Sequence, residues 1–326
     1  MVLCQSAKAW YNCSRQRGKG ERIVPVSRVR FLLSLSVGVV AISSASLIIR
    51  FAQAEGVPTL SIAAWRLVFA SLFLLPYAWA THRDEIRDLS RQELALAVAS
   101  GVFLGLHFAA WIASLGYTSV ASSVVLVSMG PLFVGLGSWL FLGERPTVRL
   151  AAGILLAAVG SVVISWGDLG QGQDHLLGDL LALAGAVMMA GYLMIGRRVR
   201  ARRSLMAYIA LVYGVAMLTL LAIALIGRQP MLGFSPLAYG WMLALGLVSQ
   251  LVGHSTLNWA LQYLSATYVS IITLTEPLGS SILTYIVLGE TVSWSTAAGG
   301  ALILGGIYIA SQSETRRGQP GEMDGS

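Results

Sequence analysis

Charge is what this sequence has least of. Asp, Glu, Lys and Arg make up 11% of its residues, less than half the share of an ordinary soluble domain, while 56% are hydrophobic and the mean hydropathy is +0.72. Such a chain cannot solvate its own surface in water. Cysteine is nearly absent. Cys4 and Cys13 both precede the first apolar run, which excludes a disulfide framework and a Cys-rich metal site. Signatures of catalysis are also missing: there is no His-x-x-x-His, no Gly-x-Ser-x-Gly, no Walker sequence and no Asp-rich motif. An enzyme in the membrane would want a nucleophile with a base, or clustered metal ligands, so neither an enzyme, a metal site nor a cofactor is expected. An ATP-driven pump would need its motor from another subunit. Finally, no linker is long enough to hold a separate soluble domain.

What is present is a series of apolar runs, at about 31–50, 58–80, 93–115, 119–141, 149–167, 177–196, 205–227, 238–261, 267–288 and 295–312. Each is long enough to cross about 30 Å of hydrocarbon as a helix. Gly, Pro and charged clusters separate them, as in Gly56-Val57-Pro58, Gly143-Glu144-Arg145-Pro146 and Gly227-Arg228-Gln229-Pro230. The loop Gly167–Gly178 reads as a flexible join. Residues 1–30 read as a basic tail; a cleaved signal peptide fits less well, because the first apolar run starts late and exceeds an h-region in length.

Basic residues set the expected orientation. Placing the amino terminus in the cytoplasm puts segments 1–30, 81–92, 142–149, 197–204, 262–266 and 313–326 inside, and these hold 19 of the 22 Lys and Arg. Only Arg50, Arg66 and Arg228 fall elsewhere. The run Arg197-Arg198-Val199-Arg200-Ala201-Arg202-Arg203 is the strongest single contribution, and the loop with Asp168, Asp174 and Asp179 has no basic residue. The expectation is a multi-pass protein of the plasma (inner) membrane with both termini cytoplasmic. Its net charge of +7 is spread over short inside loops, so anionic lipid headgroups at the inner face, not nucleic acid, are the expected partner.

The chain also repeats itself at an offset of 146 residues. Leu115-Gly116-Tyr117, Pro131-Leu132 and Leu142-Gly143-Glu144 recur as Leu261-Gln262-Tyr263, Pro277-Leu278 and Leu288-Gly289-Glu290. Ala151-Ala152-Gly153 recurs as Ala297-Ala298-Gly299, and Gly160 as Gly306. Residues 115–163 and 261–309 share 13 identities in 49 gap-free positions, against roughly a tenth expected by chance. Because each copy holds five spans, an odd number, the second enters the membrane from the opposite side. The predicted fold is therefore an all-α membrane protein of ten transmembrane helices arranged as a 5+5 inverted repeat. Its parts are a cytoplasmic tail (1–30), a first repeat (31–167), a second (177–312) and a second cytoplasmic tail (313–326). An approximate two-fold axis in the membrane plane follows, with a substrate site expected at the midplane seam.

The order Trp111, Leu115, Tyr117, Ala121, Pro131, Gly143-Glu144, Gly153, Gly160 in the first half, echoed by Asn258-Trp259-Ala260-Leu261, Tyr263, Ala266, Glu276-Pro277, Leu288-Gly289-Glu290 and Gly299-Gly300 to Gly305-Gly306, resembles the EamA family of the drug/metabolite transporter superfamily. Arg66 also matches a family position. The resemblance covers about residues 31–312. It departs from the family in the first helix, where Ile42-Ser43-Ser44-Ala45-Ser46 replaces a Trp-Gly-Ser-like start. It implies a secondary carrier, or permease, of small metabolites, and an exporter of amino acids or related compounds is the expectation; a membrane-embedded enzyme or a channel is the alternative.

Several residues stand out as site candidates. Glu276 lies ten residues into a span, where a carboxylate costs about 2.5–3.5 kcal/mol on insertion scales, so it must be paired, protonated or wetted. It is the first candidate for proton coupling or for binding a substrate amine, with a structural hydrogen bond at the Pro277 break as the alternative. Its counterpart in the first half is Gly130, so the two halves differ chemically here. Arg66 lies inside the second span, within the combined reach of two long side chains from Glu276 if their helices touch. His107 and His254 could relay protons or simply donate to a neighbouring helix. Trp111, Asn258 and Trp259 could line a cavity or anchor at the interface. Pro131 and Pro277 are helix-break candidates that can free carbonyls toward a cavity. Gly101-xxx-Gly105 and the pairs Gly153/Gly160 and Gly299/Gly306 are expected at close helix contacts.

Overall fold

The structure, a computed structural model, describes residues 28–118, 123, 126–142, 147–165, 175–289 and 294–317. Most of both tails, residues 119–122 and 124–125, residues 143–146, the join at 166–174 and residues 290–293 fall outside these. Among the described residues every regular element is helical. Seven helical stretches are long and apolar enough to cross a membrane: 29–54, 59–87, 91–114, 176–200, 205–226, 236–260 and 266–288. Shorter apolar helices at 130–141, 148–160 and 297–310 fill the fourth, fifth and tenth positions, giving the ten expected.

Serines start many of these helices. Ser90 accepts from the Glu93 amide at 3.2 Å while the Glu93 carboxylate accepts from the Ser90 amide at 3.0 Å, a capping box that opens the third span. Ser204, Ser235 and Ser265 cap the seventh, eighth and ninth by the simpler one-way bond, each hydroxyl accepting from the amide three residues on. The second span differs from expectation at its far end: its helix continues to Arg87, past a non-helical residue at His82, so Arg83 and Arg87 are helical. The helix from His175 likewise runs through Arg197, Arg198 and Arg200. In both cases nothing in the sequence stops the helix, and cations in a last turn complement its dipole.

Inversion is visible in the packing of the fifth and tenth spans. A side chain added at Gly153 would sit 2.6 Å from the Gly306 carbonyl, and one at Gly160 would sit 2.6 Å from the Gly299 carbonyl. The residue numbers run in opposite directions, so the helices are antiparallel. The 146-residue offset converts one contact into the other, as a two-fold axis between them requires. Backbone comes this close only because all four positions lack a Cβ. Gly101 and Gly105 do the same for the third span against Val215 and Thr219 of the seventh.

Among the described residues, three spans are interrupted within their apolar stretch. The first breaks at Ser44, between helices Arg28–Ser43 and Ala45–Ala54. The ninth breaks at Leu274, between Ala266–Thr273 and Thr275–Leu288. The fourth has a turn at Ser128 and Met129 before the helix Gly130–Leu142, and Ser128 is the repeat equivalent of Leu274. Pro131 and Pro277 follow the two breaks by three residues and cannot donate to the carbonyls one turn earlier. The eighth span stays helical but widens to a π-helix over Leu245–His254. Such turns are rare and occur frequently at functional sites. Gly246 and Gly253 within it let the second and first spans approach, with the Arg66 carbonyl and Ile42 as their neighbours.

Candidate functional site

Arg66 is the organising residue. It is 2% exposed, and its Nε donates to Gln250 Oε1 at 2.8 Å, joining the second span of one repeat to the π-helix of the other. The guanidinium carbon stands 4.4 Å from the Phe108 ring centroid, an attractive cation–π geometry. Phe108 in turn meets His254 edge-on at 5.4 Å. Glu276 interacts with Arg66 through space, yet no ion pair joins them among the described residues. The carboxylate is half-buried in the first turn of the half-helix Thr275–Leu288, where the helix amino terminus favours negative charge.

Beside this pair, His107 and Trp111 stack at 6.1 Å with their planes 13° apart. His107 Nδ1 lies 2.9 Å from the Gly185 carbonyl, which can only accept, so the proton is on Nδ1. Four nitrogens in the neighbourhood are buried without a protein partner: Arg66 Nη2, Gln250 Nε2, Trp111 Nε1 and His254 Nδ1. Native interiors leave few such groups, and each calls for an explanation.

Asn258 is a hub between the site and one end of the bundle. The two hydrogens of its Nδ2 go to the Tyr192 hydroxyl and to the His254 carbonyl at 2.9 Å, with the Tyr213 hydroxyl as a shared acceptor at 3.3 Å. Its backbone carbonyl accepts from Arg200 Nε at 3.2 Å. Arg200 also donates to Gln262 Oε1 at 2.7 Å, and Arg197 to the Leu261 carbonyl at 2.7 Å. Arg203 grips Glu93 with both Nε (2.9 Å) and Nη2 (2.6 Å), and Asp88 with Nη1 (3.4 Å). The Glu93 carboxylate accordingly pushes the Arg203 guanidinium further above its ordinary value. Three arginines of the basic run thus bind protein acceptors, while Arg198 and Arg202 are exposed.

Of the residues singled out in the sequence, the structure gathers Arg66, His107, Trp111 and His254, with Glu276 in electrostatic reach, and sets Asn258 one helical turn from His254. Trp259 lies apart, in an aromatic cluster with Phe31 at 5.1 Å and Tyr263 at 5.0 Å. Pro131 and Pro277 stand at the paired breaks. Gln250, Phe108, Tyr192 and Tyr213 belong to the same assembly and were not anticipated. Gln250 had a readable signal, being an uncharged polar residue in mid-span four positions before His254. Phe108 and the tyrosines are ordinary membrane residues by sequence.

The fold has been seen before: a solved crystal structure superposes with a TM-score of 0.74 over 89% of this chain and 99% of its own, at 21% identity. In sequence, an uncharacterized transporter of Archaeoglobus fulgidus is 26% identical over 92% of this chain and 98% of its own length. The pseudopaline exporter CntI of Pseudomonas aeruginosa is 28% identical over 71% of this chain and 78% of its own. A riboflavin transporter of Rhizobium johnstonii is 36% identical over a shorter stretch, 39% of this chain and 41% of its own. Residues 30–166 and 176–312 each match the model of the EamA-like transporter family, and with two such domains spanning nearly all of its helices the chain belongs to that family.

Proposed function

We propose that this transporter is a secondary carrier that exports amino acids or related small compounds across the plasma membrane, by alternating access around the seam between its repeats. One observation carries the reading: a buried cation and a half-buried carboxylate, contributed by opposite repeats, face one seam without closing into an ion pair. A purely structural pair would be expected to close, since buried charges are retained where they are paired. Groups held apart suit a ligand that bears both charges. The relatives are consistent with small organic cargo, one being named for pseudopaline export and another for riboflavin transport.

Both termini face the cytoplasm in this reading, and the exposed Arg198, Arg202, Arg87 and Arg149 meet anionic headgroups of the inner leaflet. Glu276 carries the coupling proton or receives the substrate amine. The test is counterflow. Proteoliposomes loaded with a metabolite that accumulates in the medium of expressing cells should take up labelled metabolite faster than empty ones. A carrier gives this trans-acceleration; a channel does not, and uptake indifferent to internal substrate overturns the proposal.

A further inference from the structure

The open donors around Arg66 restrict what the cargo is. Gln250 presents its oxygen to Arg66 Nε, because a guanidinium has nothing but donors and the amide must turn its acceptor toward it. That bond orients the guanidinium without neutralising it. Phe108 supports the cation from below and is likewise uncharged. Two N–H groups beside this bond, Arg66 Nη2 and Gln250 Nε2, are then buried without a hydrogen bond of normal geometry, the Tyr213 hydroxyl being the one acceptor that interacts with the Gln250 amide. The side chains are 2% and 0% exposed, so bulk water does not stand in for a partner at little cost. A Glu in place of Gln250 would have satisfied the arginine; a neutral amide leaves its charge available.

We infer that Arg66 Nη2 and Gln250 Nε2 form a subsite for the carboxylate of the transported molecule, with Glu276 as the opposite pole for its cationic group. The inference rests on the carrier reading above and narrows it: the cargo must carry an acid group. Planar carboxylate oxygens can accept from two neighbouring N–H groups at once, and the bond from the Arg66 guanidinium is charge-assisted and so the stronger of the two. Neutral sugars and simple cationic amines offer no such acceptor and are excluded as good substrates.

The experiment reads binding directly. The wild type in phosphatidylcholine nanodiscs is titrated with each of the twenty amino acids, following thermal unfolding by tryptophan fluorescence. Every amino acid that stabilises the protein is then compared with its α-amide and with its decarboxylated amine. The expected result is at least one stabilising amino acid whose amide and amine bind at least tenfold more weakly, and a Gln250→Glu variant that unfolds near the wild-type temperature but loses at least tenfold in affinity for the acid. Amides or amines that bind as tightly as the acid overturn the subsite, as does stabilisation by inorganic phosphate alone or by no amino acid. Should Gln250→Glu fail to fold, the acid, amide and amine series on the wild type still decides. Counterflow of a cargo without an acid group would overturn this inference and leave the carrier reading standing, whereas absence of counterflow with an acid that binds would do the reverse.

Discussion

Replacing Glu276 by Gln removes one charge and almost nothing else, so its effect on stability separates a functional carboxylate from a structural one. A carboxylate in mid-span costs about 2.5–3.5 kcal/mol on insertion scales, the larger part of which the neutral amide recovers. Against this stands the lost attraction to Arg66. The two groups are not within ion-pair contact, so at an effective dielectric of about 20 the attraction is below the roughly 4 kcal/mol that two charges gain at 4 Å. The terms nearly cancel, and Glu276→Gln should insert and unfold within about 1 kcal/mol of the wild type. Transport in proteoliposomes should nevertheless fall tenfold or more, an effect of about 1.4 kcal/mol on the limiting step. If Glu276 carries a proton, the wild-type rate varies with pH and the variant's does not. If it binds a substrate amine, the KM rises and the pH profile keeps its shape. A variant that unfolds 3–5 kcal/mol more easily behaves as half of a buried pair and refutes the reasoning, as does one with wild-type rate, KM and pH profile.

Other expectations follow from the backbone. Pro277→Ala restores a donor to the Thr273 carbonyl at the ninth-span break and should lower transport per inserted molecule, and Pro131→Ala should do the same at the fourth; normal specific activity with less folded protein would assign the prolines to folding alone. Gly160→Leu places a Cβ 2.6 Å from the Gly299 carbonyl and should cost at least the 1–3 kcal/mol typical of overpacking, read as a lower unfolding temperature, whereas Gly135→Ala meets only ordinary contacts at 3.6 Å and should be tolerated. Reporter fusions after Arg203 and at the carboxyl terminus should read cytoplasmic and one near Gln173 external; any other pattern removes the proposed orientation.

Much of the fold was legible because a membrane leaves a chain few options. Backbone groups without water must pair within the segment, so ten apolar runs imply ten helices, and an offset repeat of five implies inversion. The helix ends at Arg87 and Arg200 were harder, because a positive charge marks a membrane boundary and not a helix end. The site was legible only through its charges. Glu276 and Arg66 stand out by cost, but Gln250 reaches Arg66 through a π-turn that shifts the register of side chains after Leu245, and no periodicity in the sequence announces that turn. For Trp259 the sequence left two readings open, a cavity-lining ring or an interfacial anchor, and its ring joins a cluster with Phe31 and Tyr263, residues from a different span and a connecting turn.

Symmetry also explains where the chemistry sits. The glycine contacts of the fifth and tenth spans and the breaks at Ser128 and Leu274 obey the 146-residue offset, and all of them are backbone features that either half needs in order to fold. Carried upstream, the same offset pairs Phe108 with His254, two residues that touch at 5.4 Å, so an aromatic of one repeat meets the histidine at its own repeat position in the other. Gly130 and Glu276 form a second unequal pair. A symmetric site would set two carboxylates or two histidines against each other across the seam, and like charges at short range in a low dielectric repel strongly. Drift between the repeats relieves that conflict: one copy keeps a neutral or small residue where the other holds a polar one. In the proposed reading, a site built this way has distinct ends suited to an unsymmetrical molecule, while the symmetric backbone around it serves alternate opening to either side.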